Sequence, residues 1–137
     1  ANPNLVGAAY TNNISGSKST TLYVIDSSLD LLALQGGPNG SPSPNGGQLF
    51  SVGRLGVDLG NLVGFDIAPN GAAFAAGTAP GATVSNFFAV NLASGKPTLV
   101  GPIGGGETVV GLALPTITPT PPPAQVQAYL PIVLRQQ

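Results

Sequence analysis

Few side chains in this chain can do chemistry, and their types exclude most of it. Among 137 residues there is no His, Cys, Trp or Met. Without imidazole or thiol there is no nucleophile–His pair, no imidazole or thiolate metal site and no disulfide. The acids are Asp26, Asp30, Asp58, Asp66 and Glu107. Paired carboxylates can run glycoside hydrolysis, but the spacing of these five sets up no such pair, and no EF-hand pattern is present. Gly104-Gly105-Gly106-Glu107 is Gly-rich like a phosphate loop, yet no Lys follows it and no helix is expected after it. The chemistry of the chain thus predicts no enzyme, no cofactor and no metal.

Weaker signals remain. Asp26 and Asn91 each end a strand-like stretch, where a side-chain oxygen ordinarily caps the turn; a calcium ligand is the alternative. Asn13-Ile14-Ser15 and Asn39-Gly40-Ser41 fit the glycosylation sequon. Thr116, Thr118 and Thr120 stand beside prolines and are candidates for O-glycosylation. Tyr10, Tyr23, Tyr129, Phe50, Phe65, Phe74, Phe87 and Phe88 fit core and hairpin packing better than a sugar-binding platform.

Charge narrows the function further. Only 7% of residues are charged, against roughly 25% in ordinary soluble domains. The net charge is −1 and the cations are Lys18, Arg54, Lys96 and Arg135, too few for a nucleic-acid face. Mean hydropathy is positive, yet no apolar run approaches the ~20 residues of a membrane helix. Such a chain either wears a skin of Ser, Thr, Asn, Gln and Gly or buries surface against partners. It opens on Ala1 rather than Met. That start fits a mature product whose signal peptide has been removed, so an extracellular or cell-surface location is expected.

The elements that must position these residues are strands. With 20 Gly and 14 Pro, turns are expected and long helices are not. Strands are expected at 5–10, 20–26, 31–35, 48–52, 55–59, 62–68, 72–76, 86–92, 97–100 and 108–114. Pro69-Asn70-Gly71 and Ala93-Ser94-Gly95 are tight turns, and 36–47 is a long loop. Two echoes suggest repetition. Leu22-Tyr23-Val24-Ile25-Asp26 aligns with Phe87-Phe88-Ala89-Val90-Asn91, and Leu5-Val6-Gly7 recurs as Leu62-Val63-Gly64 and Val109-Val110-Gly111. The organisation expected is a β-rich body over 1–115 with units at 5–61 and 62–114, a Thr/Pro-rich linker at 116–124, and a C-terminal strand at 125–137.

The residues Thr21-Leu22-Tyr23-Val24-Ile25-Asp26, Gly64-Phe65-Asp66-Ile67, Val90-Asn91-Leu92-Ala93-Ser94-Gly95 and Leu99-Val100-Gly101-Pro102 carry a resemblance. Over roughly Leu5 to Pro115 the chain resembles an uncharacterised family of secreted bacterial proteins with propeller-like β repeats. The resemblance implies an exported, repeat-built β protein and no particular activity. Tyr129-Leu130-Pro131-Ile132-Val133-Leu134, behind its Thr/Pro linker, is similar to the C-terminal ends of exported proteins of green non-sulfur bacteria. There it could act as a sorting or attachment signal.

Propeller blades take roughly 40 residues each and rings need at least four, so this body cannot close a ring. The fold class expected is all-β, an antiparallel sandwich or partly open barrel of two repeated units, with open edges that proteins pair or blunt. The terminal segment offers a strand for such an edge. Val126, Ala128, Leu130, Ile132 and Leu134 alternate along it. Pro131 lacks an N–H and is tolerable where that position faces away from the ladder. Burying four large aliphatic side chains offers on the order of 6–12 kcal/mol before the cost of ordering the tail. The linker residues Thr116, Thr118, Pro119, Thr120, Pro121, Pro122 and Pro123 span about 25 Å in polyproline II at ~3.1 Å per residue, the width of a small domain. The tail can thus reach a neighbouring copy, fold back on its own body, or stay free. The expectation carried forward is donation to the neighbour, a head-to-tail homopolymer that propagates as an extracellular filament, with surface glycans as candidate partners. The alternative is a monomeric cell-surface binding module, with polysaccharide as its candidate ligand and the tail as an anchor.

Overall fold

The computed structural model describes residues 2–116. Eight strands follow one another: β1 (Leu5–Tyr10), β2 (Leu22–Asp26), β3 (Leu31–Gln35), β4 (Leu49–Arg54), β5 (Val63–Ile67), β6 (Ala73–Gly77), β7 (Asn86–Val90) and β8 (Pro97–Pro102). Only two single turns of 3-10 helix, Pro38–Gly40 and Pro44–Gly46, interrupt this pattern, both inside the long loop. The strands form two four-stranded antiparallel meanders, β1-β2-β3-β4 and β5-β6-β7-β8. Each sheet keeps its own ladder, so the architecture is sandwich-like and not a barrel.

The core between the sheets is built by period-two alternation. Ala9, Ile25 and Leu32 of the first sheet meet Phe65, Ile67, Ala75, Phe88 and Val90 of the second. Ile25, Leu32 and Ile67 are fully buried. β2 forms because Tyr23, Val24 and Ile25 have the branched or aromatic side chains that fit a pleated surface. β6 is mostly alanine, a poor strand former, but Ala73, Ala75 and Ala76 are all buried. There small side chains let other layers come close on both faces, and packing outweighs propensity.

The closest approach joins the first strands of the two sheets. A side-chain carbon placed on Gly7 of β1 would lie 2.9 Å from Phe65 Cβ of β5, nearer than carbon atoms pack. Glycine at this position lets Phe65 rest directly on the β1 backbone. Uncharged side chains fasten the same ends of the sheets. Asn4 Nδ2 donates to Ser27 Oγ (2.8 Å) and to Asn61 Oδ1 (3.2 Å), and Ser27 Oγ donates to Asn61 Oδ1 at 2.9 Å.

Several expected strands differ from those observed. Residues 48–52 and 55–59 are not two strands. β4 runs through Gly53 to Arg54, and the stretch after it is a loop. Gly53 carries no side chain because the Ser94–Gly95 turn of the other sheet crosses over it. Leu55 and Leu59, apolar as a strand would need, instead close the end of the core as buried loop residues. Residues 108–114 form no ladder with other described residues. The echo of β2 in β7 also matches strands in different places, since β2 is second in its sheet and β7 third. The Leu-Val-Gly echo marks true equivalents, because β1 and β5 both open their sheets.

Two measurements check this packing. Ile25→Ala should cost about 2–5 kcal/mol of unfolding free energy in a denaturant titration, because a fully buried side chain is removed from a closed core. Asp30 sits at a turn with φ of 49°, and burial, then repulsion from Asp58, raises its carboxyl above the ordinary 3.8 despite Arg54. The folded protein therefore holds this proton more tightly than the unfolded chain. Its contribution to stability is greatest below the unfolded value and falls as pH rises through the raised one. Asp30→Asn keeps a residue that tolerates left-handed backbone. It should raise the melting temperature at pH 7 and leave it nearly unchanged at pH 3.

Candidate functional site

Residues 107–115 leave β8 and cross the outer face of the second sheet, the face turned away from the first. Ser85, fully buried in the loop before β7, organises the crossing. Its carbonyl accepts from Ile103 N (2.8 Å), and its hydroxyl accepts from Val109 N (2.9 Å) and pairs with Thr78 Oγ1 at 2.6 Å. At the far end Leu114 N donates to Asp66 Oδ2 at 2.6 Å. Between these two fastenings the segment lies on Gly64. A side-chain carbon there would fall 2.6 Å from Leu112 N and 2.8 Å from Leu112 Cβ.

This contact repeats the one between the sheets. Gly7 of the first Leu-Val-Gly meets Phe65, the residue after the second Gly. Gly64 of the second meets Leu112, the residue after the third. Val109–Leu114 thus occupies, over β5, the place that β5 occupies over β1. It lies where the opening strand of a third layer would lie, without a ladder among the described residues. Leu112 and Leu114 are half-buried against the sheet, while Gly111 and Ala113 face outward, a period of two. Among the described residues, no hydrogen bond joins the backbone of Val110–Ala113 to any other.

Three of the four sheet-edge strands are blunted, while the fourth, β5, keeps a regular register. Each of β1, β4 and β8 carries a one-residue bulge, at Val6, Val52 and Val100 respectively. Bulges twist an edge away from new partners. β8 also begins and ends on proline, Pro97 and Pro102, and β4 ends on the charged Arg54.

A second feature is an open cleft of about 570 Å³ beside the 11–20 loop, lined by Tyr10, Asn13, Lys18, Thr20 and Asn39 among others. Asn13 Nδ2 donates to Ile67 O at 2.8 Å, and its Oδ1 is buried with no partner among the described residues. Asn39 is exposed, and its backbone N–H donates to Thr21 Oγ1 at 2.9 Å. Of the two sequon asparagines, Asn39 therefore presents its side chain to solvent, while the amide of Asn13 is engaged.

The carboxylates have structural partners. Asp26 Oδ1 accepts from Ser28 N (2.9 Å) and Asn4 N (3.1 Å), and Asn91 Oδ1 accepts from Ala93 N (2.9 Å) and Ser94 N (3.1 Å). Both residues cap turns, as their strand-end positions suggest. Asp58 Oδ1 accepts from Gly60 N at 2.8 Å. Among the described residues, no three acidic side chains converge closely enough to hold a metal ion. Sequence reasoning missed Ser85 and Asp66. Ser85 has no signal beyond lying in a polar loop, and Asp66 differs from its neighbours only as a charge inside a strand pattern. Thr116 ends the described residues and is exposed. Thr118, Pro119, Thr120, Pro121, Pro122 and Pro123 lie outside the described residues. So do the donor positions Val126, Ala128, Leu130, Ile132 and Leu134.

Fold and site together define an all-β protein of two meander sheets, with residues 109–114 laid over the outer face of the second. Residues 1–113 match the family described as "Domain of unknown function (DUF4394)". The chain belongs to the DUF4394 family. No curated protein and no solved structure matches it.

The seat of residues 109–114 can be tested directly. Gly64→Ala should lift the segment, because its new methyl group would overlap the backbone at Leu112. Limited proteolysis should then cut between Glu107 and Pro115 many-fold faster, with cleavage in β1–β7 unchanged.

Proposed function

We propose that the protein is the structural subunit of an extracellular filament, polymerising head-to-tail by donating its C-terminal strand to a neighbouring subunit. The observation that supports this reading is the segment Val109–Leu114. It lies over β5 as β5 lies over β1, and its backbone between Val110 and Ala113 has no partner among the described residues, immediately before the chain enters its Thr/Pro-rich linker. A strand laid along it would complete main-chain hydrogen bonds and set alternate side chains into the sheet below. Val126, Ala128, Leu130, Ile132 and Leu134 supply that alternation.

A body with 7% charged residues and an apolar, strand-patterned end suits a protein that buries surface against its own copies. The Tyr129–Leu134 pattern and the secreted character implied by the family resemblance fit assembly outside the cell. Exposed Asn39 and Thr116 are the glycan candidates on the described surface. In this reading the protein binds and turns over nothing.

The cleft beside the 11–20 loop supports a second reading, a cell-surface binding module with the tail as a sorting or anchoring signal. Tyr10 offers a ring and Asn13, Lys18 and Asn39 offer polar groups of the kind that hold a sugar. Glycan-array binding abolished by Tyr10→Ala, from a chain that stays monomeric, would favour it.

Truncation after Pro115 tests the filament reading. The shortened chain should run as a monomer on size exclusion and show no fibres by negative-stain microscopy, while the intact chain assembles. In the intact chain Leu130→Asp and Ile132→Asp should each abolish assembly and leave a monomer that melts at the same temperature as the truncated chain. Fibres from the truncated chain would sink the proposal.

A further inference from the structure

We infer that the receiving site for the donated strand is the open edge of Val109–Leu114, and that its occupant is the 125–134 segment of a second copy. This assignment rests on the strand-donation reading and goes beyond it by naming the groove.

Three observations converge on that edge. The first is geometric. The step that stacks β5 on β1 through Gly7 is repeated where Leu112 stacks on Gly64. In the first sheet the opening strand is followed by β2, whose Tyr23 and Ile25 turn toward the second sheet. Residues 109–114 stand over β5 as an opening strand would, but the described residues hold no equivalent of β2 beside them. The second observation concerns hydrogen bonding. Ser85 and Asp66 hold the two ends of the segment, at Val109 and Leu114, and the backbone between them has no hydrogen-bond partner among the described residues. The bulged edges of β1, β4 and β8 offer no such regular run, and on the regular edge strand β5 the carbonyl of Ile67 already accepts from Asn13 Nδ2.

The third observation is the surface a second strand would cover. Asp66, Phe74 and Ala89 are paired across the second sheet, as are Gly64, Ala76 and Phe87. These two rows lie on the outer face, and the 109–114 segment covers their β5 end. Next along the rows stand Phe74 and Phe87, both half-buried, with rings stacked in parallel at 5.2 Å. A strand added beside 109–114 would set alternate side chains on this pair. Leu130 and Ile132 have the size and polarity to bury it.

The occupant comes from another copy because of the chain between the two strands. Pairing with its own 109–114 would need the chain to reverse between Leu114 and Gln125. That interval holds Pro115, Pro119, Pro121, Pro122 and Pro123. Each fixes its φ near −65°, and the residue before each is steered away from the helical region that tight turns use. Three consecutive prolines favour a straight arm of about 3.1 Å per residue. Such an arm carries the terminal strand off its own body and toward the same edge of the next.

Because the chain has no native cysteine, mixed single-cysteine variants read the contact directly. One preparation carries Val110→Cys, at an exposed position of the seat. The other carries Gln127→Cys or Tyr129→Cys, on the outward face of the donated strand. Assembled together and oxidised, they should give a dimer-sized band on a non-reducing gel that collapses on reduction. Replacing Val110→Cys by Val100→Cys on β8 or Phe50→Cys on β4 should lose that band. Filaments whose tail cross-links only to β8 or β4, or to none of these positions, would overturn the seat while leaving polymerisation intact. If a chain carrying both Val110→Cys and Tyr129→Cys stays monomeric and cross-links within itself, the second-copy occupant and the polymerisation reading fall together. A chain that neither assembles nor cross-links also sinks both.

Discussion

The molecule depends on a side chain resting on a bare glycine backbone. Gly7 admits Phe65, and Gly64 admits Leu112. Each contact brings one layer's opening strand close to the next, and the remaining strands fan out behind it. The core is thin at this line, which is why alanines dominate β6 and why Ile25, Leu32 and Ile67 are among the largest fully buried side chains. A methyl group at either glycine would separate layers that otherwise share one packed interior.

What fastens the layers is polar but uncharged. Asn4, Ser27 and Asn61 tie the start of β1 to the approach to β5, Asn13 reaches the carbonyl of Ile67, and Ser85 anchors the start of the crossing segment. Hydrogen bonds of this kind each contribute modestly, about 0.5–1.5 kcal/mol, but leaving a buried partner unmade costs more. A chain with so few charges can therefore still fix register and layer order. Its surface lacks the single-sign fields that keep molecules of one kind apart, which is compatible with the proposed self-association.

Much of this fold is legible in the sequence. Alternation and β-branched residues mark β1, β2, β3, β5 and β7 to within two residues at their ends, and Asp26 and Asn91 announce their turn caps. The all-β class and the antiparallel hairpins follow from those signals. Other features were not legible because the competing cause lies far away in sequence. Leu55 and Leu59 read as strand but serve as a plug, since only the assembled sheets reveal the open end of the core. Gly53 reads as a break but is a point where Ser94 passes over the backbone. The match between β2 and β7 follows shared composition, whereas place in the sheet follows the glycine of Leu-Val-Gly. Ser85 and Asp66 act through single hydrogen bonds to backbone 24 and 48 residues away, and no local pattern encodes such a pairing.

The central claim is that Val109–Leu114 opens a layer that a neighbouring molecule completes. Hydrogen exchange at the amides of Val110 to Ala113 reads this most directly, followed in the intact protein at high and at very low concentration. Slow exchange in the assembled protein and fast exchange on dilution to monomers is the result expected. Equal protection in monomers, or fast exchange within intact assemblies, would contradict it.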